Sequence, residues 1–263
     1  MCHLPLGKAV LAAVVGTLQV SLPEHGRTLD QINPINVSLK QTIYHGRSAI
    51  QVIPTPDAVN GSSYAILKGI SFQDGAIEVD LAGKPGPGAG PDARGFIGIA
   101  FRLQNNAYEY IYLRPANGRA DDQVRRNHST QYSSYPEFDY ARLRRESPEK
   151  YESYVDLQTG EWTKFRIVVE GRKARLYIQG AEQPALVVND LKLEPRAGGV
   201  ALWVGPGTEG YFSGLKITPK SLQGPASSAT ADSKQMATNT LTHLGTPVMI
   251  EVWERLNSRF QKG

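Results

Sequence analysis

The sequence predicts an all-β protein built from two packed antiparallel sheets. Strand-length segments follow one another from about residue 36 onward, each bounded by Gly, Pro, Asn or Asp. The 263 residues include 26 Gly and 17 Pro, a content that suits a chain with many turns. Between residues 36 and 219 no stretch repeats its apolar residues with a sustained helical period.

Eleven segments have the length and the flanking turn residues of strands. They are residues 41–45, 48–53, 63–67, 76–81, 96–103, 108–114, 162–170, 174–179, 186–188, 200–204 and 211–217. Gly46 and Arg47 read as the tight turn between the first two. A short helical turn is expected within residues 137–146. The long polar run over residues 114–132 is interpreted as a loop, and loops of this length in compact domains are usually functional or disordered.

Alternation within these segments sorts the side chains onto two faces. In one strand, Ile97, Ile99, Phe101 and Leu103 oppose Gly98, Ala100 and Arg102. In the next, Ile111 and Leu113 oppose Tyr108, Tyr110, Tyr112 and Arg114. Two later strands place Phe165, Ile167 and Val169, and Ala174, Leu176 and Ile178, on their apolar faces. An inward apolar and outward polar code of this kind is what two packed sheets require.

The two ends of the chain differ from this central region. Residues 1–22 resemble a secretory signal peptide, and the alternatives are a first strand or an unprocessed anchor. We expect an exported, secreted or periplasmic protein with its sandwich over residues 23–219. Residues 220–240 are rich in Ser, Ala and Thr and are interpreted as a linker. Apolar residues then recur at helical spacing within residues 241–263, which predicts an amphipathic helix. It either docks on the sandwich or binds a protein partner through residues 246–260.

Composition excludes several classes of function. A formal net charge of +4 is too small for the dense basic surface of a nucleic-acid-binding protein. The single cysteine, Cys2, allows no intramolecular disulfide and no cysteine-based metal site. None of the five histidines has metal-ligand spacing with another, so no zinc site is expected. No segment of the mature chain approaches the length of a membrane span.

Tyrosine and arginine are concentrated between residues 108 and 154, where eight of the twelve tyrosines lie. Tyr offers an apolar ring with a hydroxyl group, and Arg offers a planar fork of donors. Tyr108, Tyr110, Tyr112 and Arg114 form an outward stripe beside small Gly98 and Ala100, either a shallow binding platform or a covered part of the core. Arg125, Arg126, Asn127, His128, Tyr132 and Tyr135 complete the predicted ligand-binding set. The arginines either hold an acidic sugar or sulfate or pair with Asp121, Asp122, Glu137 or Asp139.

Three segments carry a resemblance to a known superfamily. They are GEWTKFRIVVEGRKARLYIQG at residues 160–180, GVALWVG at 199–205 and GYFSGLKIT at 210–218. Together they resemble the concanavalin A-like lectin/glucanase superfamily, and more narrowly its laminin-G-like and 3-keto-disaccharide hydrolase-type domains. The resemblance covers roughly residues 36–219 and implies a jelly-roll β-sandwich. This fold hosts lectins, hydrolases and adhesion modules, so it does not by itself give the function.

The sequence is therefore compatible with three functions. The first is a lectin-like, carbohydrate-binding module, the second a glycoside-cleaving hydrolase, and the third a laminin-G-like protein-interaction module. A buried carboxylate in a pocket beside His128 would favour the hydrolase, whereas a flat, exposed tyrosine face would favour the protein-interaction module.

The superfamily resemblance also suggests catalytic residues and a bound cation. Family 16 glycoside hydrolases of this superfamily carry a Glu-x-Asp-x-x-Glu strand. Here Glu78 and Asp80 match the first two carboxylates, and Gly83 stands where the third would be. Glu78, Glu137 and His128 are the catalytic candidates, and the alternative for Glu78 is an ordinary solvent-facing carboxylate. The superfamily commonly binds Ca²⁺, for which Asp74, Asp92 or Asp190 would be the oxygen donors, although no Asp-rich loop is present. No other cofactor is expected.

Overall fold

The computed structural model describes residues 28–56, 58 and 62–220. A short 3-10 helix, Leu29–Gln31, precedes fourteen strands. They are β1 (Ile32–Ile35), β2 (Val37–Tyr44), β3 (Arg47–Pro54), β4 (Tyr64–Leu67), β5 (Gly75–Pro85), β6 (Ile97–Gln104), β7 (Ala107–Leu113), β8 (Thr130–Tyr135), β9 (Glu152–Ser153), β10 (Thr163–Glu170), β11 (Lys173–Ile178), β12 (Leu186–Val188), β13 (Gly199–Val204) and β14 (Thr208–Pro219). Three short helices are α1 (Pro115–Gly118), α2 (Gln123–Asn127) and α3 (Tyr140–Glu146).

The strands form two antiparallel sheets of seven strands each. The first sheet has the order β1-β4-β13-β6-β7-β8-β9, and the second has the order β12-β11-β10-β5-β14-β3-β2. Their facing surfaces bury one continuous apolar core, to which β5, β6, β7 and β10 contribute alternate residues. This architecture confirms the predicted all-β sandwich of two antiparallel sheets.

The predicted sorting of side chains is confirmed on most strands. Ile77, Val79 and Leu81 on β5, and Ile111 and Leu113 on β7, all lie in the core between the sheets. Phe165, Ile167 and Val169 do the same on β10. Tyr108, Tyr110 and Tyr112 belong to a separate cluster, because they project from the opposite face of β7.

Strict alternation is wrong at the end of β6. Arg102 was expected on the outer face, but its side chain is fully buried. Its Nη2 donates to Asp74 Oδ1 at 2.8 Å and to the carbonyl of Gly171 at 2.7 Å. The cause is a bulge: Arg102 has a φ of 55°, and the pairing of β6 with β7 shifts register after Phe101. Leu103 consequently packs on the outer aromatic cluster and not in the core.

Three strands escaped prediction, namely β1, β8 and β9. β1 contains Pro34, and proline is not expected inside a central strand. The strand is tolerated here because it lies at the edge of its sheet. β8 reads TQYSSY and lacks apolar alternation, although it is almost completely buried. The run over residues 114–132 is therefore not a single loop, because it contains α1, α2 and the start of β8. The helical turn expected within residues 137–146 is confirmed as α3.

Several expectations concern the chain ends. The signal peptide over residues 1–22, nearly all of the linker over residues 220–240 and the helix over residues 241–263 lie outside the described residues. Within the described part, no helix is long and apolar enough to cross a membrane.

Candidate functional site

The outer face of the first sheet carries an aromatic floor, formed by Tyr110 and Tyr112 on β7 and Trp203 on β13. The two tyrosine rings stack with centroids 5.5 Å apart, and Trp203 tilts against them at 5.0 and 4.8 Å. Both strands pair with β6, which places only Gly98 opposite Tyr112 and Ala100 opposite Tyr110. Because these two residues are small, three large rings fit side by side on one face of the sheet.

The tyrosine hydroxyls of the floor keep their protons at neutral pH. Burial raises the pKa of both Tyr110 and Tyr112, and in Tyr112 the nearby positive charge of Arg114 opposes but does not cancel this effect. A protonated phenol can both donate and accept a hydrogen bond. The floor thus combines apolar rings with neutral polar groups.

A cleft of about 770 Å³ lies over this floor. Its walls come from residues 90–94 with Pro206 and Gly207, and from Tyr135, Pro136 and α3. Tyr135 stacks on Tyr108 with ring centroids 5.2 Å apart, which fixes the rim beside β7. A concave site of this size, with an apolar floor and a few polar groups, is typical of a small-ligand site.

Four arginines line the cleft: Arg94, Arg114, Arg125 and Arg144. The only carboxylates among the described lining residues are Asp92 and Asp139. Asp139 is the N-cap of α3, where its Oδ1 accepts from the backbone NH of Arg142 at 2.7 Å. Asp92 lies beside Arg94, with Oδ1 3.5 Å from its Nη2. Positive charge therefore exceeds negative charge around the cleft.

Glu152 on β9 binds two of the arginines that line the cleft, Arg114 and Arg144. Its Oε1 accepts from Arg114 Nη1 at 2.8 Å, and its Oε2 accepts from Arg144 Nε at 3.0 Å. Oε2 also lies 3.6 Å from His128 Nε2. Burial alone would raise the pKa of Glu152, but the hydrogen bonds from Arg144 and Arg114 outweigh it and lower the pKa. Glu152 is consequently a fixed negative charge that orients both arginines.

The lowered pKa of Glu152 predicts a pH-dependent contribution to stability. A carboxylate whose pKa is lowered by folding stabilises the fold at pH values above its unfolded-state pKa of 4.5. This contribution disappears as the pH falls through the folded-state pKa. We expect Glu152→Gln to lower the free energy of unfolding at pH 7 by more than it does at pH 3. Urea denaturation of both proteins at several pH values measures the difference, and a constant difference would contradict the ion-pair assignment.

Asn117 in α1 lines the same cleft and has one unused acceptor. Its Nδ2 donates to the carbonyl of His128 at 3.0 Å, which fixes the side chain. Its Oδ1 is buried and has no hydrogen-bond partner among the described residues. A buried acceptor without a partner is costly, so a donor that reached this atom would be favourable.

The structure brings together six of the ten predicted ligand residues. Tyr110, Tyr112, Arg114, Arg125, His128 and Tyr135 line the cleft. Arg114 is itself largely buried and also donates to Tyr112 Oη and Gln131 Oε1, each at 3.0 Å. Its main contribution is therefore to hold the floor in place.

The other four predicted ligand residues lie elsewhere. Tyr132 pairs with Ile111, so it faces the core, where its hydroxyl donates to Glu109 Oε2 at 2.6 Å. Arg126 lies over the ring of Tyr154 at 5.3 Å, outside the cleft. Asn127 accepts a hydrogen bond from Gln123, and Tyr108 is buried beneath the rim. Neither Arg125 nor Arg126 forms a side-chain ion pair with Asp121, Asp122, Glu137 or Asp139.

Of the three catalytic candidates, only His128 lines the cleft. Glu78 lies on the outer face of the second sheet, where its carboxylate is 3.4 Å from Arg166 Nε. Glu137 is exposed and 3.9 Å from Arg142 Nη1.

The proposed Ca²⁺ donors also lie apart: Asp74 binds Arg102, and Asp190 binds Lys150 and Lys192. Among the described residues, no three His, Cys, Asp or Glu side chains are grouped as metal ligands would be.

The sequence analysis missed four residues that line the cleft, namely Arg94, Asn117, Arg144 and Trp203, and it considered Asp139 only as a partner of the arginines. Trp203 had a usable signal, because Val200, Leu202 and Val204 alternate with Ala201 and Trp203 on β13. The others come from loops and short helices, whose spatial neighbours no periodicity reveals.

No protein-family model matches this chain. No curated protein sequence matches it either. Among solved structures, the chain is similar to the carbohydrate-binding module CBM66 from Bacillus subtilis, with 12% identity, a TM-score of 0.48 and coverage of 72% of this chain and 95% of that one. It is also similar to the cellulose-induced protein Cip1, with 15% identity, a TM-score of 0.48 and coverage of 75% and 95%. The galectin LEC-6 from Caenorhabditis elegans has 11% identity, a TM-score of 0.36 and coverage of 61% and 94%.

None of these three structures reaches 25% identity or a TM-score of 0.5. Their identities and TM-scores are too low to transfer a function to this chain. The case for function therefore depends on the cleft itself.

Proposed function

We propose that this chain is an exported, lectin-like module that binds a glycan in the cleft over the aromatic floor. The observation that carries the proposal is the floor itself, three adjoining aromatic rings at the base of a cleft with four arginines around it. A sugar ring has apolar C–H faces and a polar edge of hydroxyl groups. The rings of the floor, whose residues are 2–5% exposed, match the faces through the atoms that line the cleft, while Arg94 and Arg125 match the edge.

A hydrolase is the second candidate because Glu152 is a buried carboxylate beside His128. Its arrangement argues for a supporting role, since two arginines hold it ionised and it does not line the cleft. A carboxylate with a lowered pKa is a poor general acid. The protein-interaction module receives less support, because the tyrosines lie at the base of a concave site and not on a flat face.

The first experiment is a glycan array probed with the full chain, containing neutral and acidic members. Bound oligosaccharides are then recovered and chromatographed. Binding without shortening supports the proposal, whereas shortened products would establish the hydrolase. Failure to bind any glycan would overturn both.

Tryptophan fluorescence provides a test at the level of single residues. The chain has three tryptophans, of which Trp203 is in the floor and Trp162 packs on Tyr44 at the second sheet. We expect a bound glycan to change the emission of the wild type and of Trp162→Phe, but not of Trp203→Phe. Trp162→Phe is the matched control. If a glycan changed the emission of Trp203→Phe as much as that of the wild type, the ligand would bind elsewhere.

A further inference from the structure

Arg125 differs from the other three arginines that line the cleft. Arg114 and Arg144 share the carboxylate of Glu152, and Arg94 lies beside Asp92. The guanidinium of Arg125 forms no ion pair or hydrogen bond with any described residue. It therefore contributes a positive charge to the cleft that the protein does not neutralise locally.

Helix α2 holds the Arg125 backbone in place although the side chain is free. The carboxylate of Asp122, the N-cap of α2, accepts from the backbone NH of Arg125 at 2.8 Å. The same helix turns the neighbouring Arg126 away, toward Tyr154 Oη at 3.2 Å. Two adjacent arginines of equal charge thus have different surroundings, one facing the cleft and one outside it.

Asn117 adds a second, chemically different requirement. Helices α1 and α2 are in contact, and Asn117 and Arg125 line the same cleft. The Oδ1 atom of Asn117 needs a donor, whereas the guanidinium of Arg125 needs an acceptor, preferably an anion. A simple inorganic anion satisfies only the second requirement. A sugar with a hydroxyl group and an acidic group satisfies both.

On the premise that the cleft binds a glycan, we propose that this glycan is acidic and that Arg125 binds its carboxylate or sulfate group. Both groups present oxygens in the geometry that a guanidinium fork matches. The two carboxylates that line the cleft do not prevent this. Asp139 is held as the cap of α3, and the Asp92 side chain is fully exposed beside Arg94.

The experiment compares acidic oligosaccharides with their neutral counterparts by calorimetry on the full chain. One pair is oligogalacturonate and its carboxyl-reduced form, and the other is a dextran sulfate oligosaccharide and unsulfated dextran. We expect the preferred acidic probe to bind about tenfold or more tightly than its neutral counterpart, as a charge-assisted hydrogen bond implies. The pair that shows the preference identifies the acidic group as carboxylate or sulfate.

Arg125→Gln and Arg126→Gln form a matched pair of variants, since each removes one positive charge from α2. We expect Arg125→Gln to abolish the preference for the acidic probe and Arg126→Gln to retain it. Equal loss in both variants would show a general effect of net charge and overturn the assignment. Binding of neutral glycans alone would overturn the acidic ligand and leave the proposed function intact, whereas no glycan binding would overturn both.

Discussion

Replacing Arg114 by Gln is expected to lower the free energy of unfolding by about 3 kcal/mol or more, because it breaks a buried ion pair from one side. Arg114 and Glu152 have only 6% and 2% of their side chains exposed. Arg114 also donates to the carbonyl of His128 at 3.2 Å and to Tyr112 Oη. Its loss leaves Glu152 with the half-exposed Arg144 and leaves other buried acceptors without donors. Urea denaturation at pH 7 measures the change.

The control is Arg119→Gln, which removes an arginine of similar geometry from the surface. Arg119 holds Asp156 through two hydrogen bonds of 2.7 and 3.1 Å, with 59% and 57% of the side chains exposed. Exposed pairs of this kind contribute about 0–1 kcal/mol. We call Glu152 with its partners Arg114 and Arg144 the Glu152 network. If both variants lost the same stability, burial of this network would not be the source of the effect.

The Glu152 network also explains why the cleft contains arginines that are not free to bind. Arg114 contacts the floor through Tyr112, and Arg144 projects from α3 at the wall. Glu152 joins the two from beneath, so one buried carboxylate fixes both the floor and the wall. Glycan binding is therefore expected to depend on residues that never touch the ligand.

The sequence was sufficient for the fold because the sandwich repeats one simple rule. Residues such as Ile111 and Leu113 alternate with the tyrosines of β7, and that alternation alone places the tyrosines on an outer face. The alternation rule failed at Arg102, where a bulge with positive φ changes which side chains face the core. It also failed at β8, whose polar residues are buried by neighbours distant in the sequence.

The site was less predictable than the fold for a related reason. Composition concentrated Tyr and Arg in one region, but it could not say which of two adjacent arginines faces the cleft. That choice depends on where α2 begins, and Asp122 determines its first turn. Tyr132 was misplaced because its face depends on its pairing with Ile111, a contact between strands that no local pattern shows.

Gly98→Ala is expected to damage both the fold and the binding site. A Cβ at this position would lie 2.2 Å from the carbonyl oxygen of Ile111 and 2.6 Å from the Cα of Tyr112. Both are backbone atoms of the paired strand, so β6 and β7 must separate locally. Overpacking costs about 1–3 kcal/mol when side chains can adjust, and we expect the upper end of this range or more here. Thermal or urea unfolding measures the loss.

Gly98→Ala should also weaken glycan binding, because Tyr112 is one of the two residues that the new methyl group would meet. We expect glycan affinity to fall even under conditions where the variant remains folded. Gly199→Ala is the matched control, because its nearest contact would be Leu103 Cβ at 3.7 Å, an ordinary packing distance. That variant should retain its stability to within about 1 kcal/mol and its affinity. If Gly98→Ala bound the glycan normally, the floor around Tyr112 would not be the binding surface.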